Sequence, residues 1–177
     1  MTTIYFEPHS ITTDNENGLA SGWNDVDLSE EGVKRLQEQW PERYKNRSID
    51  AIFCSDMQRS YKCGAFIAKD KEIPIFIDTR LRECNYGDLT QKDKKLIDKE
   101  KPERIDIPFP GGESYEQCMN RMGEFLKMLK SKYQNKSVVI IGHRATQYGL
   151  EHHINGKDIR TCVTEPWAYQ PGWVYEL

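Results

Sequence analysis

The sequence lacks the features that mark several large classes of protein. Its apolar runs are short, far from the roughly 20 residues that a membrane-spanning helix needs, and no repeat, low-complexity linker or heptad pattern occurs in the 177 residues. The five cysteines are odd in number and include no C-x-x-C pair, which argues against a disulfide framework. We therefore expect free thiols and a cytoplasmic protein with neither signal peptide nor membrane anchor.

The sequence also lacks a large excess of charge of either sign. The chain has 25 Lys and Arg against 28 Asp and Glu, a formal net charge of −3, which disfavours nucleic acid and anionic membranes as main partners. Any attraction for an anionic substrate must therefore be local. A hydrophobic fraction of 37% and a charged fraction of 30% suit one globular domain over residues 1–177.

Short apolar runs alternate with amphipathic segments along the chain. Strands are predicted at 4–6, 49–54, 73–77 and 137–141, and helices behind Ser29, Ser55 and Ser114, each a predicted N-cap. Pro41 is expected to kink or end the first long helix, and the last helix is predicted over 145–153. The aromatic tail 166–177 is expected to add an edge strand. The alternation predicts an α/β fold, a three-layer αβα sandwich with a largely parallel central sheet.

Three potentially reactive side chains follow predicted strands. His9 and His143 come directly after apolar runs, and Arg59 lies in the first turn of the helix behind another. Because the carboxyl ends of parallel strands share one edge of a sheet, we expect these side chains to converge on a site.

Five local patterns resemble motifs of the histidine phosphatase (phosphoglycerate-mutase-like) superfamily. In chain order, Pro8–Asn15 resembles R-H-G-x-T-x-x-N, Ser55–Ser60 resembles S-x-x-x-R-[AS], Leu81–Gly87 resembles L-R-E-x-x-x-G, Pro110–Ser114 matches P-G-G-E-S, and Ile141–His143 resembles the second histidine segment. Each motif alone is weakly specific, but their shared order and spacing cover nearly the whole chain. The resemblance implies the phosphoglycerate-mutase-like fold and a small phosphorylated substrate, with no metal or other cofactor.

The resemblance also implies a role for each residue. His9 would attack phosphorus as a neutral imidazole and form a phosphohistidine, while His143 would stabilise the transferring phosphoryl group. Arg59 has the planar guanidinium that fits two phosphate oxygens, and Glu83 would act as general acid and then general base. Further substrate contacts are predicted for Ser10, Thr12 and Asn15.

Two residues depart from the superfamily pattern. Pro8 stands where most members have arginine, and Glu7 stands before it in place of an apolar residue. Losing one phosphate-facing guanidinium costs on the order of 2–4 kcal/mol of transition-state stabilisation. Arg144 follows the second histidine, where glycine is usual, and we hypothesise that it supplies the missing phosphate contact.

The leading interpretation is a phosphatase that hydrolyses phosphate monoesters of small metabolites. A phosphomutase of the phosphoglycerate mutase type would use the same residues, but the short chain lacks a long insert after the acid loop, which favours hydrolysis. A catalytically impaired member that binds a phosphate-bearing ligand is the third alternative, and Pro8 and Glu7 are the residues that favour it. The sequence makes no prediction of oligomeric state or of the physiological substrate.

Overall fold

The computed structural model describes residues 1–69 and 71–177. A five-stranded sheet lies at the centre of this structure. Its strands are β1 (Thr3–Pro8), β2 (Ala51–Cys54), β3 (Ile75–Ile77), β4 (Ser137–Gly142) and β5 (Trp173–Glu176). They lie in the order β3-β2-β4-β1-β5. Neighbouring strands are parallel except for β5, which pairs antiparallel with β1 at one edge. The largely parallel sheet and the edge strand from the aromatic tail are confirmed.

Helices cover both faces of this sheet. They are α1 (Thr13–Glu16), α2 (Glu30–Tyr44), α3 (Gln58–Ala68), α4 (Lys94–Glu100), α5 (Tyr115–Lys132), α6 (Arg144–Asn155) and α7 (Ile159–Thr164). Buried side chains of α2 and α3 pack on one face of β2 and β4, and those of α5 and α6 pack on the other face. The predicted three-layer αβα sandwich is therefore confirmed.

The register of the parallel strands aligns the residues that follow them. Pro8 of β1 lies opposite Gly142 of β4, and Cys54 of β2 lies opposite Ile141 of β4. Near the ends of these strands, the Ser60 hydroxyl of α3 donates to the Ile141 carbonyl of β4 at 2.7 Å. The first residues beyond all three strands consequently meet at the carboxyl edge of the sheet, where open α/β sheets bind ligands.

The structure corrects one helix boundary and adds a helix that was not predicted. Helix α2 continues through Pro41 to Tyr44, because the rings of Trp40 and Tyr44 are buried against the sheet and their burial outweighs the missing N–H. Helix α6 ends at Gly156 in the left-handed conformation, and the unpredicted α7 follows it. The signal for α7 is Asp158, whose carboxylate accepts from the Thr161 N–H at 3.0 Å as an N-cap.

The predicted cap of α3 is also wrong. Met57 occupies the N-cap position without a side-chain hydrogen bond, and the Gln58 N–H donates instead to Asp25 at 2.8 Å. Ser55, the predicted cap, directs its hydroxyl to His143 at 2.7 Å. Arg59 nevertheless falls in the first turn of α3, as predicted.

None of the helices within the described residues combines the length and the apolar character that crossing a bilayer requires.

Gly32 provides a stability test of the contact between α2 and the loop after β1. A Cβ at this position would lie 2.0 Å from the Ile11 carbonyl oxygen, and the Gly32 carbonyl accepts from the Ser10 hydroxyl at 2.8 Å. We expect Gly32→Ala to lower the free energy of unfolding by about 1–3 kcal/mol through overpacking, measured by urea denaturation. Lys34→Ala, at an exposed position of the same helix, is the control, and equal stability of the two variants would contradict the expectation.

Candidate active site

His9 follows β1 and lines a cavity of about 310 Å³ at the carboxyl edge of the sheet. Its Nδ1 lies 2.7 Å from the Ser10 carbonyl oxygen. A carbonyl can only accept a hydrogen bond, so the ring proton is on Nδ1 and the Nε2 lone pair is free. The loop therefore fixes the tautomer that a histidine nucleophile needs.

Burial and the Arg59 cation lower the pKa of His9 to about 3. Both effects penalise the imidazolium, because most of the ring is removed from water and the ring faces a fixed positive charge. His9 is accordingly neutral near pH 7, the protonation state in which Nε2 can attack an electrophile.

His143 follows β4 and faces the same cavity, with its ring centroid 5.1 Å from that of His9. It is 1% exposed, and its Nε2 lies 2.7 Å from the Ser55 hydroxyl. Its other nitrogen, Nδ1, has no hydrogen-bond partner in the described chain. Burial, with Arg59 and His9 adding to it, holds the pKa of His143 well below its ordinary value.

Arg59 brings a buried positive charge to the two histidines. Its terminal nitrogens donate to the carbonyls of Asn24 and Gly22, each at 2.7 Å, which fixes the plane of the guanidinium. Its Nε has no partner among the described residues, so N–H donors remain for a ligand in the cavity. Burial lowers the pKa of Arg59, although the nearby Glu83 opposes the shift, and the group stays charged at neutral pH.

Glu83 lies at the amino end of α6 and lines the cavity. One carboxylate oxygen accepts from the N–H groups of Cys84 at 2.8 Å and Ala145 at 3.1 Å, and the other accepts from Arg144 at 3.2 Å. These bonds and the helix dipole orient the carboxyl group beside the histidines.

The P-G-G-E-S turn and Arg121 support the acid loop from behind. Arg121 donates to the carbonyls of Arg80 at 2.7 Å, Arg82 at 2.8 Å and Glu83 at 2.9 Å. Glu113 pairs with Arg121 at 3.1 Å and accepts from the Asn85 N–H at 3.0 Å. The motif therefore positions Glu83 without lining the cavity.

Three potential metal-ligand atoms lie within 4.8 Å of one another, on Cys84, Glu113 and Cys118. Arg121 already donates to Glu113 at 3.1 Å and to the Cys118 sulfur at 3.4 Å. A guanidinium this close repels a metal cation, so we interpret the cluster as support for the acid loop.

The three predicted polar contacts of the first loop are not equivalent. Asn15 lines the cavity. The Ser10 hydroxyl donates to Gly32 at 2.8 Å, and the Thr12 hydroxyl caps α1 by accepting from the Asn15 N–H at 3.1 Å. The last two side chains shape the loop and lie outside the cavity wall.

Glu7 faces away from the cavity, because side chains alternate along β1. It is 2% exposed and accepts from Arg43 at 3.0 Å and from the Tyr44 hydroxyl at 3.1 Å. Burial raises the pKa of Glu7 and Arg43 opposes this. The Glu7 carboxylate is therefore paired with Arg43 and Tyr44 on the α2 side of the sheet, and it does not face a phosphate group in the cavity.

Arg144 lines the cavity, but its guanidinium lies toward α4 and the C-terminal tail. It donates to Asp98 at 3.3 Å, and its Cζ lies 5.1 Å from the centroid of the Trp167 ring. Pro8 borders the same cavity. The structure thus brings His9, Arg59, Glu83, His143, Asn15 and Arg144 to one cavity.

Comparison with known proteins identifies the family to which this arrangement belongs. The sequence model of the histidine phosphatase superfamily (branch 1) matches residues 4–167.

The chain belongs to the histidine phosphatase superfamily.

Relatives in this superfamily include phosphatases and mutases. Phosphoserine phosphatase 1 of Hydrogenobacter thermophilus is 24% identical over 90% of this chain and 79% of its own length. A protein of Proteus mirabilis described as probable phosphoglycerate mutase GpmB is 28% identical over 99% of this chain and 92% of its own. The structure of YhfR from Bacillus stearothermophilus superposes with a TM-score of 0.83 at 23% identity, covering 96% of this chain and 87% of that one. The last comparison confirms the phosphoglycerate-mutase-like fold.

Several residues around this histidine phosphatase cavity carried no recognisable signal in the sequence. Ser55 looked like a helix cap and contacts His143 instead. Other wall residues come from α2, α4 and the tail: Arg35, Lys94, Asp98, Trp167 and Tyr169. Their loops and helices meet only through tertiary packing, so local pattern could not group them.

The low pKa of His9 predicts pH-dependent stability. Between about pH 6.5 and pH 3 the unfolded chain binds a proton at His9 that the folded chain does not, so the free energy of unfolding decreases as the pH falls through this window. We expect His9→Asn to remove on the order of 1 kcal/mol of the decrease between pH 7 and pH 5, since part of the ring remains accessible to solvent. Urea denaturation of both proteins at the two pH values measures it, and identical decreases would contradict it.

Proposed function

We propose that this protein is a phosphatase that hydrolyses phosphate monoesters of small metabolites through a phosphohistidine on His9. The observation that carries the proposal is the 2.7 Å contact from His9 Nδ1 to the Ser10 carbonyl, which leaves Nε2 unprotonated in a cavity shared with Arg59 and His143. Membership of the superfamily and relatives named as phosphatases support it.

In the first step, Nε2 of His9 attacks phosphorus in line with the ester oxygen. The phosphorus–nitrogen bond forms as the phosphorus–oxygen bond breaks, and protonated Glu83 gives its proton to the leaving alcohol. Arg59 and His143 stabilise the charge on the equatorial oxygens. If the Ser55 hydroxyl donates to Nε2 of His143, the Nδ1–H of that ring is available to a phosphate oxygen.

In the second step, water attacks the phosphohistidine. Glu83, now ionised, accepts a proton from this water while the phosphorus–nitrogen bond breaks. Inorganic phosphate leaves, His9 is neutral again, and Glu83 is protonated for the next cycle. The residues themselves supply nucleophile, acid, base and charge stabilisation, so we assign no metal or other cofactor to the reaction.

The phosphomutase alternative differs only in the fate of the phosphoryl group. It has relatives of its own, among them the mutase of Proteus mirabilis named above. We favour hydrolysis because the chain lacks a long insert after the acid loop.

We further propose that residues 1–177 act as a single domain in the cytoplasm. One family model spans residues 4–167, and all five cysteines are buried and unpaired, as expected in a reducing compartment.

The mechanism is tested by metal-free hydrolysis of a panel of phosphate monoesters, with phosphate release and phosphohistidine formation measured in alkali-quenched samples. Wild-type protein should turn over several esters and form an acid-labile adduct. His9→Asn should lose the adduct and at least about 10³-fold in kcat/KM, since Nε2 of the other cavity histidine, His143, is already in contact with the Ser55 hydroxyl. Arg59→Ala should lose about 10²–10³-fold.

Folded wild-type protein without turnover or adduct on any ester would refute the phosphatase and favour the ligand-binding alternative. Isomerised monoester without released phosphate would instead show a mutase. Circular dichroism of each variant establishes that the loss is catalytic.

Ser55 is proposed as a positioning residue for His143. Ser55→Ala removes the 2.7 Å contact to Nε2 and should lower kcat about tenfold while KM changes less, because the hydrogen bond orients a ring that acts on the transition state. An equal loss in kcat and in thermal stability would indicate a purely structural role. Ser60→Ala, which removes the hydroxyl of the neighbouring serine from the Ile141 carbonyl, is the control for disruption of the strand edge.

A further inference from the structure

Trp23 connects the loop after β1 to the acid loop. Its indole N–H donates to the Glu83 carbonyl at 2.8 Å, but Trp23 is not among the described residues that line the cavity. The residue is 36% exposed, so its ring contributes little to the hydrophobic core. The placement of this ring, with its polar atom on the backbone of the proposed general acid, therefore indicates a role in the site rather than in core packing.

The Glu83 carbonyl accepts two hydrogen bonds. Trp23 donates at 2.8 Å and Arg121 of α5 donates at 2.9 Å. Since a carbonyl oxygen has two lone pairs, both are used, and the plane of the Glu83–Cys84 peptide is fixed. The Cys84 N–H of this same peptide donates to the Glu83 carboxylate at 2.8 Å. The orientation of the peptide consequently determines where the carboxylate lies.

The indole ring of Trp23 is itself held by an ion pair. The guanidinium carbon of Arg82 lies 4.5 Å from a ring centroid of Trp23, within the range of a cation–π contact. Arg82 donates to the two carboxylate oxygens of Asp56 at 2.7 and 2.5 Å, and such a bidentate pair fixes the guanidinium plane. Contacts thus run without a break from Asp56, directly after β2, to the Glu83 carbonyl.

The backbone on either side of Trp23 is anchored to Arg59. The carbonyls of Gly22 and Asn24 each accept from the Arg59 guanidinium at 2.7 Å. Because Arg59 is buried, these bonds hold the loop at a fixed point beside the cavity. The indole N–H therefore reaches Glu83 from a rigid support, which a positioning contact requires.

We propose that Trp23 is a positioning residue for the general acid Glu83. The inference rests on the proposed phosphatase function and adds a residue to its machinery. The indole N–H holds the Glu83–Cys84 peptide, and this peptide holds the carboxyl group where the leaving alcohol departs. Trp23 acts through Glu83 and does not contact the substrate.

A displaced general acid affects esters unequally. An alkoxide leaving group must be protonated as its bond to phosphorus breaks, whereas 4-nitrophenolate is stable at neutral pH and departs without a proton. Loss of the indole N–H should therefore slow phosphohistidine formation from an alkyl phosphate much more than from 4-nitrophenyl phosphate. The two kcat/KM values report this difference, because kcat/KM extends only to departure of the alcohol.

The test measures kcat/KM for 4-nitrophenyl phosphate and for the alkyl phosphate that wild-type protein hydrolyses best. Trp23→Phe keeps an aromatic ring beside Arg82 and removes the N–H donor. We expect it to lower kcat/KM about tenfold for the alkyl ester and less than about twofold for the aryl ester. Glu83→Gln should show the same selectivity with a larger loss, about 10²-fold or more for the alkyl ester.

Two further variants control this comparison. Asp56→Asn weakens the pair that holds Arg82 beside the indole, and should change the ratio of the two kcat/KM values in the same direction by about twofold to threefold. Tyr61→Phe, at a 44% exposed position of α3, should leave the ratio unchanged. Circular dichroism and thermal unfolding establish that each variant is folded, and if Trp23→Phe is not, the ratio in Asp56→Asn decides.

Equal losses on both esters in Trp23→Phe, or no loss on either, would overturn the inference while leaving the phosphatase intact. So would Glu83→Gln without selectivity between the esters, because Trp23 would then have no acid to position. Absence of turnover of every ester by folded wild-type protein, without phosphohistidine, would instead refute the proposed function itself.

Discussion

The register between parallel strands is the constraint on which the rest of the structure depends. Since Pro8 lies opposite Gly142 and Cys54 opposite Ile141, the chain leaves β1, β2 and β4 at the same level. His9, Ser55 and His143 are the first residues beyond these strands. A shift of one residue would turn every side chain of a strand to the opposite face, and would separate the two histidines whose ring centroids now lie 5.1 Å apart. The buried faces of β1 and β4, packed on both sides, hold this register.

A second layer of fixed dipoles and charges determines what the converged residues can do. The Ser10 carbonyl selects the tautomer of His9, and burial, reinforced by the Arg59 cation, lowers the pKa values of both histidines and keeps them neutral. Arg121 donates hydrogen bonds to the carbonyls of Arg80, Arg82 and Glu83 and thereby fixes the acid loop. Such groups need not reorganise when charge develops on a bound phosphoryl group, which is why preorganised dipoles stabilise a transition state more than water does.

Local sequence was sufficient for the strands and for the longer helices. Apolar runs and caps such as Ser29 and Ser114 predicted strands and helices correctly, because backbone hydrogen bonding and side-chain period are local properties. The resemblance then assigned Glu83 to the cavity, where it lies. The sequence could not predict contacts that depend on tertiary packing. The Ser55 hydroxyl contacts His143 instead of capping α3. The cavity-wall residues of α4 and the tail come from segments more than 60 positions apart. Pro41 shows the same competition, since buried rings outweighed a local helix breaker.

The two departures from the superfamily pattern separate physically once the strand is in place. Glu7 and Pro8 are adjacent in sequence, but alternation along β1 sends the Glu7 carboxylate to Arg43 and Tyr44 on the α2 side, whereas Pro8 borders the cavity. Glu7 therefore affects packing of α2 and the tail, to which Arg43 also bonds through the Tyr169 hydroxyl at 3.1 Å. Of the two departures, Pro8 is the one that removes a positive charge from the proposed phosphoryl site, because most members of the superfamily have arginine there. With Arg144 held by Asp98 and Trp167, Arg59 is the arginine fixed beside both histidines among the described residues, so the chemistry proposed for this cavity depends on that single buried guanidinium.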